Sequence, residues 1–204
     1  MKLNRISWII AAILAVAIGI YPIIYLIIDM ESNGLLASKG QELLSTTIYN
    51  LGFYIHISLG GLALLIGWTQ FSKKWRAKYL KRHRNIGKIY IISVLLSGLA
   101  GLYIAFYATG GFGTKLGFSL LALLWLITTI VAFITIKNKN IIAHKKWMIR
   151  SYALCFAAVT LRLWMPILPA LFDLDFSESY AIISWLCWVP NLIFAEILIT
   201  RIKS

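Results

Sequence analysis

Residues 116–136, LGFSLLALLWLITTIVAFITI, form a continuous apolar stretch that contains no charged residue. A helix that crosses a bilayer needs about 20 predominantly apolar residues, so this stretch predicts a transmembrane helix. Lys115 and Lys137 bound it on either side. Strands of a membrane β-barrel alternate polar and apolar residues over about ten positions, and this run has no such alternation.

Five further stretches have the same character, and together they predict an all-α, polytopic membrane helix bundle in a single membrane domain, 1–204. Hydrophobic residues make up 60% of the 204 residues and charged residues 13%. Soluble domains carry about 25% charged residues, so a soluble fold is excluded, and disorder requires a much lower hydrophobicity. The six predicted transmembrane spans are 6–28, 51–71, 86–108, 116–136, 147–172 and 180–200. We expect the first to be an uncleaved span, because its apolar run is longer than that of a signal peptide.

The charges indicate how the spans are oriented. The formal net charge is +13, and every Lys and Arg except Lys39, Lys115 and Arg162 falls on the two termini, on the connectors 72–85 and 137–146, or beside them. Every acidic residue except Glu196 falls on the opposite connectors. This positive-inside pattern predicts that both termini are cytoplasmic, in a multi-pass protein of a bacterial cytoplasmic membrane.

The positive charge therefore serves mainly to set topology, and no motif for nucleic-acid binding accompanies it. Eight Lys or Arg residues fall within 73–88. Such a basic segment is also suited to binding anionic lipids at the cytoplasmic face, although topology alone explains it.

Two ionisable side chains lie deep within predicted spans. His56 and Arg162 are each about 15 residues from the cytoplasmic end of their spans, roughly 22 Å along a helix axis. Intramembrane ionisable residues are functional candidates, and an arginine favours an anion such as a carboxylate or phosphate. The matched depths predict a polar intramembrane pocket. The side chains expected near it are Asp29, Tyr49, Asn50 and Tyr54. In a purely structural alternative, Arg162 bonds carbonyls freed near Pro166 and Pro169, and His56 bonds a neighbouring helix.

His83 and His144 form a second pair, just before predicted spans three and five and flanked by cations. Histidines at equal depth on separate helices suit bis-histidine haem ligation, which makes them candidate ligands of haem b. Arg150 belongs to the same predicted cofactor site, and Glu196 is expected to orient a histidine. Alternatively, the two histidines cap helix starts or contact lipid headgroups.

Other chemistries are poorly supported. Three histidines without an HExxH motif disfavour catalytic zinc, so no metal beyond a haem iron is predicted, and no GxSxG elbow is present for a nucleophilic serine. No helix broken by paired polar residues is expected at mid-depth, which disfavours a transporter. Cys155 and Cys187 are predicted to be unpaired packing residues.

Two motifs resemble a known family. HRNIGKIY (83–90) resembles an H-x-x-x-G-[RK]-x-Y signature, and HKKWMIRSY (144–152) resembles H-[RK]-x-W-M-x-R-S-Y. With His56, Gln70, Trp125 and Arg162, they resemble a family of uncharacterised bacterial membrane proteins, over about residues 50–165. The resemblance implies no established reaction. It does imply that His56, His83, His144, Arg150 and Arg162 belong to one fold or site.

A more distant likeness is to membrane di-haem b-type cytochromes, whose two haems need four histidines where this chain has three. The leading hypothesis is thus a small redox protein that binds haem b or a quinone. The alternative is a non-enzymatic membrane protein that binds an anionic lipid or small anion. A third is an accessory subunit of a membrane complex. The sequence does not decide whether the protein is an enzyme.

Overall fold

The computed structural model describes residues 5–27 and 36–202, and within them the secondary structure is helical throughout. The α-helices are α1 (Arg5–Ile20), α2 (Gln41–Leu44), α3 (Thr47–Gly67), α4 (Lys73–Lys78), α5 (Leu80–Ala105), α6 (Gly111–Lys137), α7 (Ile141–Cys155), α8 (Ala157–Phe172), α9 (Phe176–Leu186) and α10 (Val189–Thr200). Short 3-10 helices cover Tyr21–Leu26, Leu36–Ser38 and Trp68–Phe71.

Six helical stretches in the described residues are long and apolar enough to cross a membrane, which confirms the predicted fold class. They are Ile6–Tyr25, Thr47–Phe71, Leu80–Ala105, Gly111–Lys137, Ile141–Phe172 and Phe176–Thr200. Several of them extend beyond the predicted apolar runs, because helices continue through polar first turns that composition alone assigns to connectors. The cytoplasmic position of the termini stays a prediction.

The centre of the bundle is formed by α3, α5, α6 and α7. Along this set, α3 packs on α5, α5 on α6, and α6 on α7, while α3 also contacts α7. The first helix lies against α3, α9 contacts α6 and α8, and α10 contacts α7. The basic connectors lie at one end of the bundle, which we call the basic end. Residues 36–46 lie at the other end, which we call the acidic end.

Local sequence signals fix several of the turns. Gly110 and Gly111 have φ values of 101° and 84°, a left-handed conformation that glycine adopts without steric cost, and they form the tight turn at the start of α6. The Asn140 side chain caps α7, and Asp175 forms a capping box with Glu178 at the start of α9. These caps satisfy main-chain amides that the first turn of a helix leaves unpaired.

The prediction of no broken helix at mid-depth is wrong for spans five and six. Span five is interrupted at Phe156, between α7 and α8, and span six at Cys187 and Trp188, between α9 and α10. Polar side chains bridge the two interruptions: the Thr160 hydroxyl donates to the Cys187 carbonyl, and Asn191 Nδ2 donates to Thr160 Oγ1 at 3.1 Å. Carbonyls freed by the interruptions thus find partners within the protein, as a membrane interior requires. Cys155 and Cys187 are buried and unbridged, as predicted.

The close approach of α1 to α3 gives a test of the packing. A Cβ atom at Gly61 would lie 2.7 Å from the Gly19 carbonyl oxygen and 3.0 Å from Pro22 Cγ. Main-chain atoms cannot move aside cheaply, so Gly61→Ala should destabilise the fold by about 1–3 kcal/mol. Thermal unfolding in detergent measures this change.

Gly87→Ala is the matched control, because a Cβ atom there meets nothing within 4 Å and alanine favours a helix over glycine. An equal loss of stability in both variants would contradict this packing of α1 on α3.

Candidate functional site

The bundle contains a partly open cavity of about 200 Å³ between its central helices. The cavity extends from Lys39 and Ala108 at the acidic end to Trp125 and Cys155 near the middle of the bundle. Most of its wall is apolar, built from aliphatic and aromatic side chains together with glycines. A dry apolar cavity of about 150 Å³ suffices for a benzene ring, so this cavity has room for a small organic group.

His56 lies in the wall of this cavity on α3. Its Nδ1 donates to the Ser97 carbonyl on α5 at 2.9 Å, and the Ser97 hydroxyl donates back to the His56 carbonyl at 2.8 Å. Gly101 makes room for the ring, since a Cβ atom there would lie 2.6 Å from His56 Nδ1. A donating Nδ1 fixes the tautomer, so that Nε2 of the neutral ring carries a lone pair.

Arg162 lines the same cavity from α8. Its Nη1 donates to the Ala158 carbonyl at 2.9 Å, and its guanidinium lies 4.5 Å from the centre of the Tyr21 ring. Both contacts favour a cation, but neither is an anion. Ala158 is one turn before Arg162, so the alternative in which Arg162 bonds carbonyls freed near the two prolines is wrong.

The structure therefore brings His56 and Arg162 together at one cavity. Of the neighbours expected there, Tyr49 lines the cavity, whereas Asn50 bonds the Leu44 carbonyl. Tyr54 lines a separate shallow groove beside α1. Asp29 lies outside the described residues.

Sequence reasoning missed three polar residues of this wall: Lys39, Tyr25 and Tyr180. The sequence did distinguish Lys39, because it is one of the few cations on an acidic connector. The tyrosines carried none, because a tyrosine near the end of a span is ordinarily part of the aromatic belt. Among the described residues of the cavity wall there is no Asp or Glu, so its charged groups are cations.

Lys39 lines the cavity at its acidic end. Its Nζ donates to the Tyr107 carbonyl and, at 2.9 Å, to Thr109 Oγ1. Burial, reinforced by the nearby Lys115, lowers the pKa of Lys39 to about 8. At neutral pH the ammonium is therefore charged, although its surroundings disfavour the charge.

His83 and His144 lie at the basic end, away from this cavity. His144 Nδ1 donates to the Ala132 carbonyl on α6 at 2.8 Å, which leaves Nε2 as an acceptor or ligand. His83 Nδ1 is buried and has no hydrogen-bond partner in the described part of the chain. His83 also lies within electrostatic range of His144 and Arg76.

Helix geometry brings the two histidines to face each other. Tyr90 Oη and Ser151 Oγ are 2.8 Å apart across the bundle, and each lies seven residues after one of the histidines. Seven residues are two helical turns, roughly 10 Å, and α5 and α7 run in the same direction. His83 and His144 therefore lie on the same faces as this bonded pair, two turns closer to the basic end.

Arg150 and Glu196 are paired with one another. Arg150 Nε and Nη2 donate to the two carboxylate oxygens of Glu196 at 2.6 and 2.8 Å, and the guanidinium lies 4.4 Å from the centre of a Trp147 ring. The expectation that Glu196 orients a histidine is therefore wrong, because both carboxylate oxygens bind Arg150. No sequence signal indicates this pair, since α7 and α10 are adjacent only in the tertiary structure.

Comparison with known proteins identifies the family. Residues 53–199 match the model of the family described as "Predicted membrane protein (DUF2306)". The match spans more than half of the chain, which thus belongs to this family. No curated protein and no solved structure matches the chain, so the likeness to b-type cytochromes gains no support.

The Arg150–Glu196 pair yields a stability prediction. Bidentate geometry strengthens an ion pair, whereas partial exposure, 20% for the Arg150 side chain and 49% for Glu196, weakens it. In a double-mutant cycle of Arg150→Gln and Glu196→Gln, we expect a coupling free energy of about 1 kcal/mol, measured by unfolding in detergent. Glu42→Gln, an exposed acid on α2, serves as the control. Strictly additive effects of the two substitutions would contradict this pairing.

Proposed function

We propose that this member of the DUF2306 family is a membrane protein that binds a small amphiphile, with one anionic group beside Arg162 and an apolar part in the cavity. One observation carries the proposal. Arg162 faces an apolar cavity, and its protein contacts are a carbonyl and an aromatic ring, with no carboxylate among the described residues.

Electrostatics favours an anion over a neutral or cationic ligand. A charge inside a membrane without a counter-ion is costly, and no carboxylate pairs with Arg162 among the described residues. A guanidinium has five N–H donors, of which the main-chain bond in the described part of the chain uses one. A carboxylate or phosphate oxygen would accept the remaining donors in charge-assisted hydrogen bonds. His56 Nε2 offers an acceptor in the same wall, which suits a hydroxyl on the ligand.

Size restricts the apolar part. About 200 Å³ has room for a ring or a short alkyl chain rather than two long acyl chains. The anionic group could belong to a free organic acid or to the headgroup of an anionic lipid. Native mass spectrometry of protein extracted from its own membrane separates these sources by the mass retained.

The binding test uses radiolabelled octanoate on purified protein in detergent, read by scintillation proximity. Arg162→Gln should weaken binding roughly 10- to 100-fold, the value of a charge-assisted hydrogen bond. Arg162→Lys should retain part of the affinity, and Arg201→Gln, an exposed cation near the C-terminus, should change nothing. Octanol in place of octanoate should compete poorly.

Equal octanoate binding by the wild type and Arg162→Gln would refute the proposal that the cavity binds an anion at Arg162. Binding of a short-chain quinone that requires His56 but not Arg162 would favour the quinone hypothesis for this cavity.

Haem b between His83 and His144 is the second candidate. Its specific support is the facing arrangement of the two histidines and the His144 Nδ1 bond to the Ala132 carbonyl, since haem-ligating histidines commonly donate the other ring N–H to a carbonyl. The bidentate bond to Glu196 argues against Arg150 as a partner for a haem propionate. A bound haem would supply one-electron redox chemistry.

A Soret band in protein purified after haem-supplemented expression would support this candidate. His83→Ala and His144→Ala should each abolish the band, while His56→Ala, at the other site, should leave it unchanged. A colourless wild-type protein would refute it.

The orientation of the protein and its contact with lipid follow from charge. We propose both termini on the cytoplasmic face of a bacterial cytoplasmic membrane, where the basic segment Lys73–Lys78 would meet anionic lipids. The alternating sides of the basic and acidic connectors support this orientation. A role as an accessory subunit of a membrane complex stays a prediction, which co-purification would test.

A further inference from the structure

Residues 36–39 form a short strap across the acidic end of the cavity. Leu36 is 3% exposed and packs with Tyr49 and Phe53. Ser38 Oγ and Lys39 Nζ both bond Thr109 Oγ1, at 3.3 and 2.9 Å, in the turn between α5 and α6. In the described part of the chain, the strap thus has an apolar anchor at Leu36 and a polar latch at Ser38 and Lys39.

Lys39 also lines the cavity that Arg162 lines. Its ammonium is therefore both the latch of the strap and a charged group in the cavity wall. We infer that the strap is the entrance of the cavity from the aqueous phase at the acidic end, and that Lys39 selects anions as they enter. This inference rests on the proposed anion-binding function.

A glycine, Gly40, connects the strap to α2. Gly40 follows the strap in an extended conformation, and the space beside its Cα is open, since a Cβ atom added there would meet nothing within 4 Å. Beyond Gly40, Asn50 Nδ2 holds the end of α2 through the Leu44 carbonyl at 2.6 Å.

The charges near the strap favour its opening by anions. Lys39 and Lys115 repel one another, and the latch partners of Lys39 are a carbonyl and a hydroxyl oxygen. An incoming carboxylate or phosphate would replace these neutral acceptors with an anion and offset the repulsion. Anions thus loosen the latch that excludes other solutes.

Access to the cavity can be measured without any ligand. Ala158 lines the cavity beside Arg162, and a thiol near a cation is more reactive. In an Ala158→Cys variant that also carries Cys155→Ala, since Cys155 lines the same cavity, the rate of modification by an anionic methanethiosulfonate (the ethylsulfonate) is followed by mass spectrometry. Adding Ser38→Cys and Thr109→Cys, oxidised to a disulfide, locks the strap, and we expect modification of the cavity thiol to slow at least 10-fold.

Reduction of the disulfide should restore the modification rate. Neither Ser38→Cys alone nor Thr109→Cys alone should slow the modification. An unchanged rate in the locked protein would overturn the entrance, because the reagent would then arrive between the helices. This outcome can be told apart from failure of the proposed function. The proposed function fails if octanoate binding does not depend on Arg162.

The selectivity of Lys39 is tested by the ratio of rates for the anionic reagent and its trimethylammonium counterpart. Lys39→Met should raise both rates, since the latch is lost, and should lower the anion-to-cation ratio at least threefold. Lys88→Met, an exposed cation on α5 at the basic end, should leave the ratio unchanged. A ratio unaffected by Lys39→Met would refute the selective role.

Discussion

The hydrocarbon interior of a membrane supplies no hydrogen-bond partner, so a polar side chain in a span must find one on the protein. In this bundle the partner is repeatedly a main-chain carbonyl of another helix. His56 bonds the Ser97 carbonyl, His144 the Ala132 carbonyl and Tyr152 the Leu64 carbonyl. Each bond ties two helices at a fixed rotation and depth, and the positions of the cavity and of the facing histidines depend on that alignment.

The same constraint singles out the groups whose bonding capacity is not used. Among the described residues, Arg162 has one main-chain bond and one aromatic contact for a full positive charge. At the basic end, Gln70 Oε1 and His83 Nδ1 are buried without hydrogen-bond partners in the described part of the chain. Incomplete satisfaction of buried polar groups is costly, so these positions are where a ligand would contribute most. The two sites are separate, since neither facing histidine is among the residues that line the cavity at Arg162.

Interrupted helices give the bundle its second source of polar contacts. The breaks at Phe156 and at Cys187 lie on neighbouring spans and are bridged by Thr160 and Asn191. Pro190 lies in the first turn of α10, directly after one break, where its missing main-chain N–H costs no helical hydrogen bond. Phe156 marked nothing, since the residues around it have no glycine or proline. The local sequence therefore carries a mark of one break and none of the other.

The sequence by itself determined the six spans, the segregation of basic and acidic connectors and the residues of interest within the spans. These features depend on the hydrophobicity and charge of each residue, which need no knowledge of its neighbours in space. The tertiary structure alone decided which of those residues meet, His56 with Arg162 at one cavity and Glu196 with Arg150, and it added Lys39 to the cavity wall. Such meetings depend on how each helix is rotated against the next, and that rotation is set by side-chain packing and inter-helix hydrogen bonds between segments far apart in the chain.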